Sequence, residues 1–436
     1  MTAALNRTFA SLAVPNYRRY FVGQVVSISG NWMQIVAEMW LVVQLTGSGT
    51  AVGLTAGLQF LPVLLFAAWG GVLADRFDKR TLLTITQLCM ALPALALWGL
   101  TAGGQIEIWM VYALVLVRGT VTAIDNPARQ SFVSEMVGGE RVVNAVALNS
   151  VIVHSARIVG PAAAAALIAL LGVAACFAVN AATFLVMVTA LRLMDAALLE
   201  RPERVPRARG QLRQALAYVR RTPELRIPLV MMVVAGTVSF NFQVLLPLLA
   251  AQTWHGTAST YAALTAAMGV GSVIGALAAG ARGRVGPQTL VAAAALFGVA
   301  ELLVALAPTL ELQALALVPM GAASVTFAAG VNSSLQLTAV PALRGRVMAL
   351  YSTVFLGSTP IGAPLVGWLA EVAGPRSGLY AGAAAAIAAA VYARRAFARA
   401  DAEAALPPPC GQGRVRAAEQ RARAAAHHAD LASARR

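Results

Sequence analysis

Glu38, Arg118 and Arg157 are ionisable side chains set inside long apolar runs of this 436-residue chain. In hydrocarbon an unpaired charge costs several kcal/mol, so such residues need a partner or a hydrated cavity. Each belongs to a stripe with helical spacing. Ser27, Asn31, Gln34 and Glu38 are separated by four, three and four residues, which puts them on one face of an α-helix. Arg118, Thr122 and Asp125 form a second stripe, Ser150, His154, Arg157 and Pro161 a third, and Thr237 and Asn241 a shorter fourth. A carboxyl group among arginines at membrane depth is suited to bind and release a proton, because desolvation and nearby positive charge act on it in opposite senses. Glu38 is therefore the first proton-carrier candidate, with Asp125 and His154 next in line. Asn31, Gln34, Glu38, Arg118, Arg157 and Asn241 are the candidate substrate cavity. For the Ser, Thr and Asn members the alternative is hydrogen bonding between helices of a static bundle.

The elements that position these residues follow from composition. With 59% hydrophobic and 12% charged residues, the chain would leave large apolar areas wet as a soluble globule. Spanning hydrocarbon takes about 20 apolar residues per helix. The expected class is an all-α membrane protein with twelve such runs, near 19–44, 51–73, 81–101, 108–127, 142–170 and 174–192, then 227–250, 258–280, 288–308, 311–331, 345–370 and 377–398. Run length favours helices over barrel strands, which would alternate over about ten residues. The first run is long and lacks a small-residue cleavage site, so no cleavable signal peptide is expected.

A formal charge of +15 could point to nucleic acid, but its distribution argues otherwise. If helices alternate, all of the 33 Lys and Arg residues fall on one side except Arg118 and Arg157 in the runs and Arg376 in a loop opposite. By the positive-inside rule both termini are expected in the cytoplasm. Residues 1–192 and 227–398 form the expected six-helix halves, 193–226 a cytoplasmic linker with a basic helical piece near 211–221, and 399–436 a disordered basic cytoplasmic tail. Cys89, Cys176 and Cys410 are spaced for neither disulfide nor metal chemistry. No metal, cofactor or nucleic-acid partner is expected. Membrane lipid surrounds a chain expected to act as a monomer.

The charged stretch from Gly70 to Arg80 carries Gly71, Leu73, Asp75, Arg76, Lys79 and Arg80, which resemble the signature loop between the second and third helices of the major facilitator superfamily of transporters. Gly71, Leu73 and Ala74 return as Gly275, Leu277 and Ala278, each offset by 204. Asn126 returns as Asn332, offset by 206, and Leu148, Ser150, Gly160 and Gly172 return as Leu350, Ser352, Gly362 and Gly374, offset by 202. Such repeats support two parallel halves with substrate between them near mid-membrane. The resemblance implies a conformational latch of Gly71, Asp75, Arg76, Lys79, Arg80 and Asp125, with Gly71 letting helices 2 and 3 approach. Asp78 stands where the family pattern often has Gly.

Further stretches narrow the resemblance. Asn16 to Gln24, Gly30 to Gln34, Asn126 to Gln130, Ala156 to Pro161 and Gly345 to Met348 are similar to the branch of enterobactin exporters and macrolide-efflux proteins, across nearly the whole chain to about residue 395. By that resemblance Arg118 matches the basic residue of the fourth-helix motif implicated in proton coupling, and Gly160 and Pro161 match part of the fifth-helix antiporter motif. Ala164 and Ala165 replace further glycines. The implied function is a secondary, proton-coupled exporter of a small amphipathic or anionic molecule, such as a drug, antibiotic or siderophore, in a bacterial inner membrane. An importer of a small metabolite is the alternative, and a non-transporting sensor or scaffold is the alternative from another class. The chain has no Gly-Lys-Ser/Thr phosphate loop, and no nucleophile–base pair indicates an enzyme.

Overall fold

Proline and short polar side chains open the helices, and glycine closes them. Pro15, Pro223, Pro287 and Pro341 occupy first-turn positions, where the missing N–H costs nothing. Ser48, Asp78 and Thr309 cap the helices that follow them by accepting from backbone N–H groups of Ala51, Thr81 and Leu312. The computed structural model describes residues 10–138, 141–199, 211–282 and 286–405. Its helices are α1 Pro15–Thr46, α2 Gly49–Arg76, α3 Lys79–Ala102, α4 Ile108–Val137, α5 Val142–Leu171 and α6 Val173–Arg192. They continue with α7 Gln211–Arg221, α8 Pro223–Val238, α9 Phe242–Leu248, α10 Ala258–Arg282, α11 Pro287–Leu306, α12 Leu310–Thr338, α13 Pro341–Gly357, α14 Thr359–Ala373 and α15 Pro375–Ala405. A π-helical turn, Leu249–Thr253, extends α9. The described residues contain no strand.

Among the described residues, ten segments are long and apolar enough to cross a membrane. The helices α1 and α15 add 32 and 31 residues with more polar ends. Leu65, Trp69, Leu170, Leu277 and Val372 are exposed by 57% to 78%, while Gln34, Glu38, Gln87 and Asn180 are fully buried. That inversion is what a bilayer solvent selects.

Several helices outrun the expected apolar stretches. Helix α4 continues to Val137, α12 to Thr338 and α15 to Ala405, because polar turns can stay helical after the apolar stretch ends. The seventh expected run is interrupted after Val238, where Asn241 leaves helical geometry at φ −97°, ψ 39°. The eleventh is divided at Ser358, just before Pro360. These interruptions meet: a Cβ on Gly236 would lie 3.0 Å from Ser358 Oγ, and one on Gly362 would lie 2.7 Å from Thr237 C. Helix α7 matches the expected linker helix and packs on α8 and α13, with Arg346 Nη1 donating to Gln214 Oε1 at 2.7 Å. The remaining linker, 200–210, and the tail from 406 lie outside the described residues.

Small residues set the helix crossings. Helix α2 runs along α4 with Gly70 facing Ala123, and α10 runs along α12 with Gly275 facing Ala322. The expected close approach of helices 2 and 3 does not occur. Helix α2 barely meets α3, and the glycine that lets it close on α4 is Gly70; Gly71 beside it is buried. Gly172 and Gly374, paired by the internal repeat, take matching conformations at φ 82° and 83°, ψ 169° and 158°. Only glycine adopts that geometry without strain, and each links two helices by a single residue.

Candidate functional site

Three charged clusters are strung along α4, whose Arg118, Asp125, Arg129 and Glu135 alternate in sign. At the first, Arg118 Nη2 donates to Glu38 Oε2 at 2.6 Å, with Glu38 fully buried and Arg118 nearly so. Gln34, one turn earlier on α1, donates to Glu38 Oε1 at 2.6 Å. Asn180 of α6 donates to Gln34 Oε1, and Thr183 donates to Asn180 Oδ1 at 2.8 Å. The network joins α1, α4 and α6, and it satisfies the carboxylate as a buried ion requires. Arg118 Nε has no hydrogen-bond partner. Asn31 lies half-buried one turn below Gln34.

The second cluster lies seven residues along α4, about 10 Å at 1.5 Å per residue. Asp125 accepts from Thr86 Oγ1 at 2.7 Å, Gln87 Nε2 at 2.9 Å and Arg129 Nη2 at 2.6 Å. Arg129 also donates to Gln24 Oε1, and Ser27 Oγ donates to Gln87 Oε1 at 3.3 Å. The third cluster pairs Lys79 with Glu135.

Several members of the expected latch have described partners. The bonds of Asp125 described here go to α3 and to its own helix. Lys79 turns to Glu135, and Arg80 donates to the carbonyls of Leu191 and Arg192 at 2.8 and 2.7 Å. Asp75 and Arg76 are exposed at the end of α2 and engaged in interactions there. Lys79 and Arg80 belong to the first turn of α3 and reach different neighbours, which sequence proximity could not reveal.

Other expected residues are spread over the bundle. Arg157 stacks over the Trp32 ring at 5.2 Å, and its Nε lacks a hydrogen-bond partner. Gly160 lets α5 cross α1: a Cβ there would meet Trp32 Cβ at 2.5 Å and Met33 N at 2.9 Å. Pro161 follows inside α5. His154 lies in α5, with its side chain outside the described residues. Asn241 sits apart from the Glu38 network, donating through Nδ2 to the carbonyls of Thr237 and Val238 at 2.8 and 3.0 Å. Its amide closes the end of α8, and its Oδ1 is buried without a partner.

Thr86, Gln87, Asn180, Thr183 and Arg129 were not among the expected site residues. Arg129 carried a signal, four residues after Asp125 on one helix. The others are ordinary polar residues whose role depends on which helices meet.

The sequence profile of the transmembrane secretion effector family matches residues 6–410. The chain belongs to this family of major facilitator transporters. Among curated relatives, it is 27% identical to the multidrug efflux pump Tap of Mycolicibacterium fortuitum, over 79% of this chain and 87% of that protein. It is 27% identical to the enterobactin exporter EntS of Shigella flexneri, over 83% and 86%. The match to the staphyloferrin A transporter of Staphylococcus aureus is 23% identical and covers 59% of this chain and 65% of that protein. That to the uncharacterized transporter YfiS of Bacillus subtilis covers 48% of the relative. A nucleoside transporter NupG structure superposes with a TM-score of 0.71 at 12% identity, over 87% of this chain and 99% of NupG. An inward-facing bacterial homologue of the lysosomal transporter Spinster gives 0.65 at 13%, over 88% and 96%. These structures share the fold. Family and fold point to a multi-pass membrane transporter and away from an enzyme.

Proposed function

We propose that this transporter is a proton-coupled exporter of small amphipathic molecules, of the broad kind that the names of its efflux relatives indicate. The observation that carries the reading is the buried Glu38–Arg118 pair, bridged to α6 through Gln34 and Asn180. Exchange requires proton and substrate to exclude each other. A substrate presenting a cationic or hydrogen-bond-donating group competes with the proton for the Glu38 carboxylate. An anionic substrate held by Arg118 or Arg157 would instead displace Glu38 and draw a proton in with it, which is cotransport. Antiport therefore favours the amphipathic class, and the anionic class goes with the importer alternative.

In this reading twelve spans, α1 to α6 and then α8 with α9, α10, α11, α12, α13 with α14, and α15, form two six-helix halves in a bacterial inner membrane, with both termini and α7 on the cytoplasmic side. In this orientation the contacts of Glu371 with Ser48, Gln252 with Gly47 and Trp40 with Tyr261 lie at the exterior end and hold it closed. The loop from Asp75 to Arg80 acts as a latch of separate ties from α3 to α4 and α6. Everted membrane vesicles test the reading. A labelled macrolide, an amphipathic compound with a basic amine, should accumulate inside them only under an imposed proton gradient, and a protonophore should abolish accumulation. Accumulation indifferent to protonophore would overturn proton coupling, and accumulation in right-side-out vesicles alone would make the protein an importer.

A further inference from the structure

Glu301 lies on α11, outside the clusters described above. It is completely buried, and neither carboxyl oxygen has a hydrogen-bond partner. The carboxyl packs onto α15 at Gly382, where a Cβ would come within 2.6 Å of Glu301 Cδ. Any side chain at position 382 would occupy its place. The same glycine reaches the interruption between α8 and α9, because its carbonyl accepts from Ser239 Oγ at 2.8 Å. Phe297, one turn before Glu301, packs against Phe240 and Phe242 of that interruption with ring centroids 5.1 and 6.1 Å away. Asn241 Oδ1 and Gln243 Oε1, in the same stretch, are also buried acceptors without donors.

A fully buried carboxyl group with no donor on either oxygen needs something positive. Among the described residues, the elements packed on α11 do not supply it. On α15, Arg376 is six residues before Gly382 and donates to Ala307 O at 2.8 Å. Tyr380 lies two residues before Gly382 and is 41% exposed, on another face of the helix. Tyr392, Arg394, Arg395 and Arg399 lie at least ten residues beyond Gly382, about 15 Å. On α12, Glu311 stands in the first turn, past the end of α11. On α8, Glu224 and Arg226 stand near the start, more than a dozen residues before Ser239.

We propose that Glu301 is a second proton-binding site, loaded while the α8–α9 interruption is packed against α11 and α15, and unloaded through that interruption when these helices move. This rests on the reading of the protein as a proton-driven transporter and adds a carrier distinct from Glu38.

Infrared difference spectra of the full-length protein in liposomes, recorded while pH is raised, test the site without knowledge of the substrate. An acid carbonyl band should disappear on deprotonation, be absent from Glu301→Gln and remain in Glu38→Gln. Glu301→Asp, which keeps a carboxyl group, should show the band displaced. A pH-indicator titration should count one proton fewer for Glu301→Gln than for the wild type. A band unchanged in Glu301→Gln, or one displaced at fixed pH when sodium replaces potassium, would overturn the proposal, the latter assigning the pocket to a metal cation. Protonophore-insensitive export with the Glu301 band intact would sink the proton-coupled reading and leave the binding site standing.

Discussion

Glu371, in the last turn of α14, caps the first turn of α2 by accepting from Thr50 N at 2.8 Å. The same Oε2 accepts from Ser48 Oγ at 2.6 Å. Beside it Gln252 Nε2 donates to Gly47 O at 2.7 Å. A carboxylate at a helix N-terminus meets unpaired N–H groups and the positive end of the helix dipole, though exposure to water weakens the attraction. Glu371→Gln should move the balance away from the closed exterior by a factor of about 2–5, or ~0.5–1 kcal/mol. Faster labelling of a Thr55→Cys reporter by an impermeant maleimide from outside would show it, because Thr55 is fully buried here.

Two glycines of α2 should behave differently when enlarged. A Cβ on Gly53 would lie 3.0 Å from Ala363 C on α14, whereas one on Gly70 would lie 2.9 Å from Ala123 C on α4. In the proposed transport cycle the first contact, between halves, is made and broken, while the second, within one half, is kept. Gly53→Val should leave membrane abundance near normal while labelling of Thr55→Cys rises. Gly70→Val should lower abundance, by the 1–3 kcal/mol order typical of overpacking, read on membrane immunoblots.

Breaking the Glu38–Arg118 pair from one side leaves a buried charge, at a cost of about 3–5 kcal/mol. Arg118→Met alone should therefore melt well below the wild type in detergent. Combining it with Glu38→Gln should recover most of that loss without restoring transport. Glu38→Gln alone should abolish gradient-driven accumulation in everted vesicles, and the substrate binding that remains should no longer depend on pH.

Asp75→Asn should lower transport by a modest factor, with little change in membrane abundance, if the loop is a moving latch, since Asp75 is exposed and an exposed charge interaction contributes roughly 0.2–1 kcal/mol. Glu135→Gln, which loosens the Lys79 tie, should act in the same direction. Unchanged transport in both variants would reduce the loop to a topology signal.

Reporters fused after Arg209 and Arg399 should be active in the cytoplasm, and one inserted at Gly256 should report the exterior. A periplasmic signal from the position after Arg209 would overturn two halves of six spans each.

Helical, membrane-spanning character was legible in the sequence, because hydrocarbon demands long apolar runs and says so in composition. Helix interruptions were not. Ser239 and Phe240 carry no breaker, and the chain opens there because Asn241 turns its amide onto the end of α8 while α14 crosses nearby. The polar face of α1 was legible from spacing, and Gln34 and Glu38 do lie together. That Asn180 completes the network depends on α6 crossing α1 at Gly30, where a Cβ would meet Thr183 Cγ2 at 2.9 Å.

The partition of charges depended on more than local sequence. Lys79 and Arg80 are neighbours in the chain, yet successive residues of a helix point about 100° apart, so one meets Glu135 and the other the end of α6. The sequence by itself determined a membrane-embedded helical chain, an internal repeat and a polar face on α1 that carries Gln34 and Glu38. Only tertiary structure decided that Glu38 is paired and Glu301 is not. In hydrocarbon the cost of a polar group is set by whichever side chain the facing helix presents, and helix crossings, fixed by small residues far apart in the chain, determine which one that is.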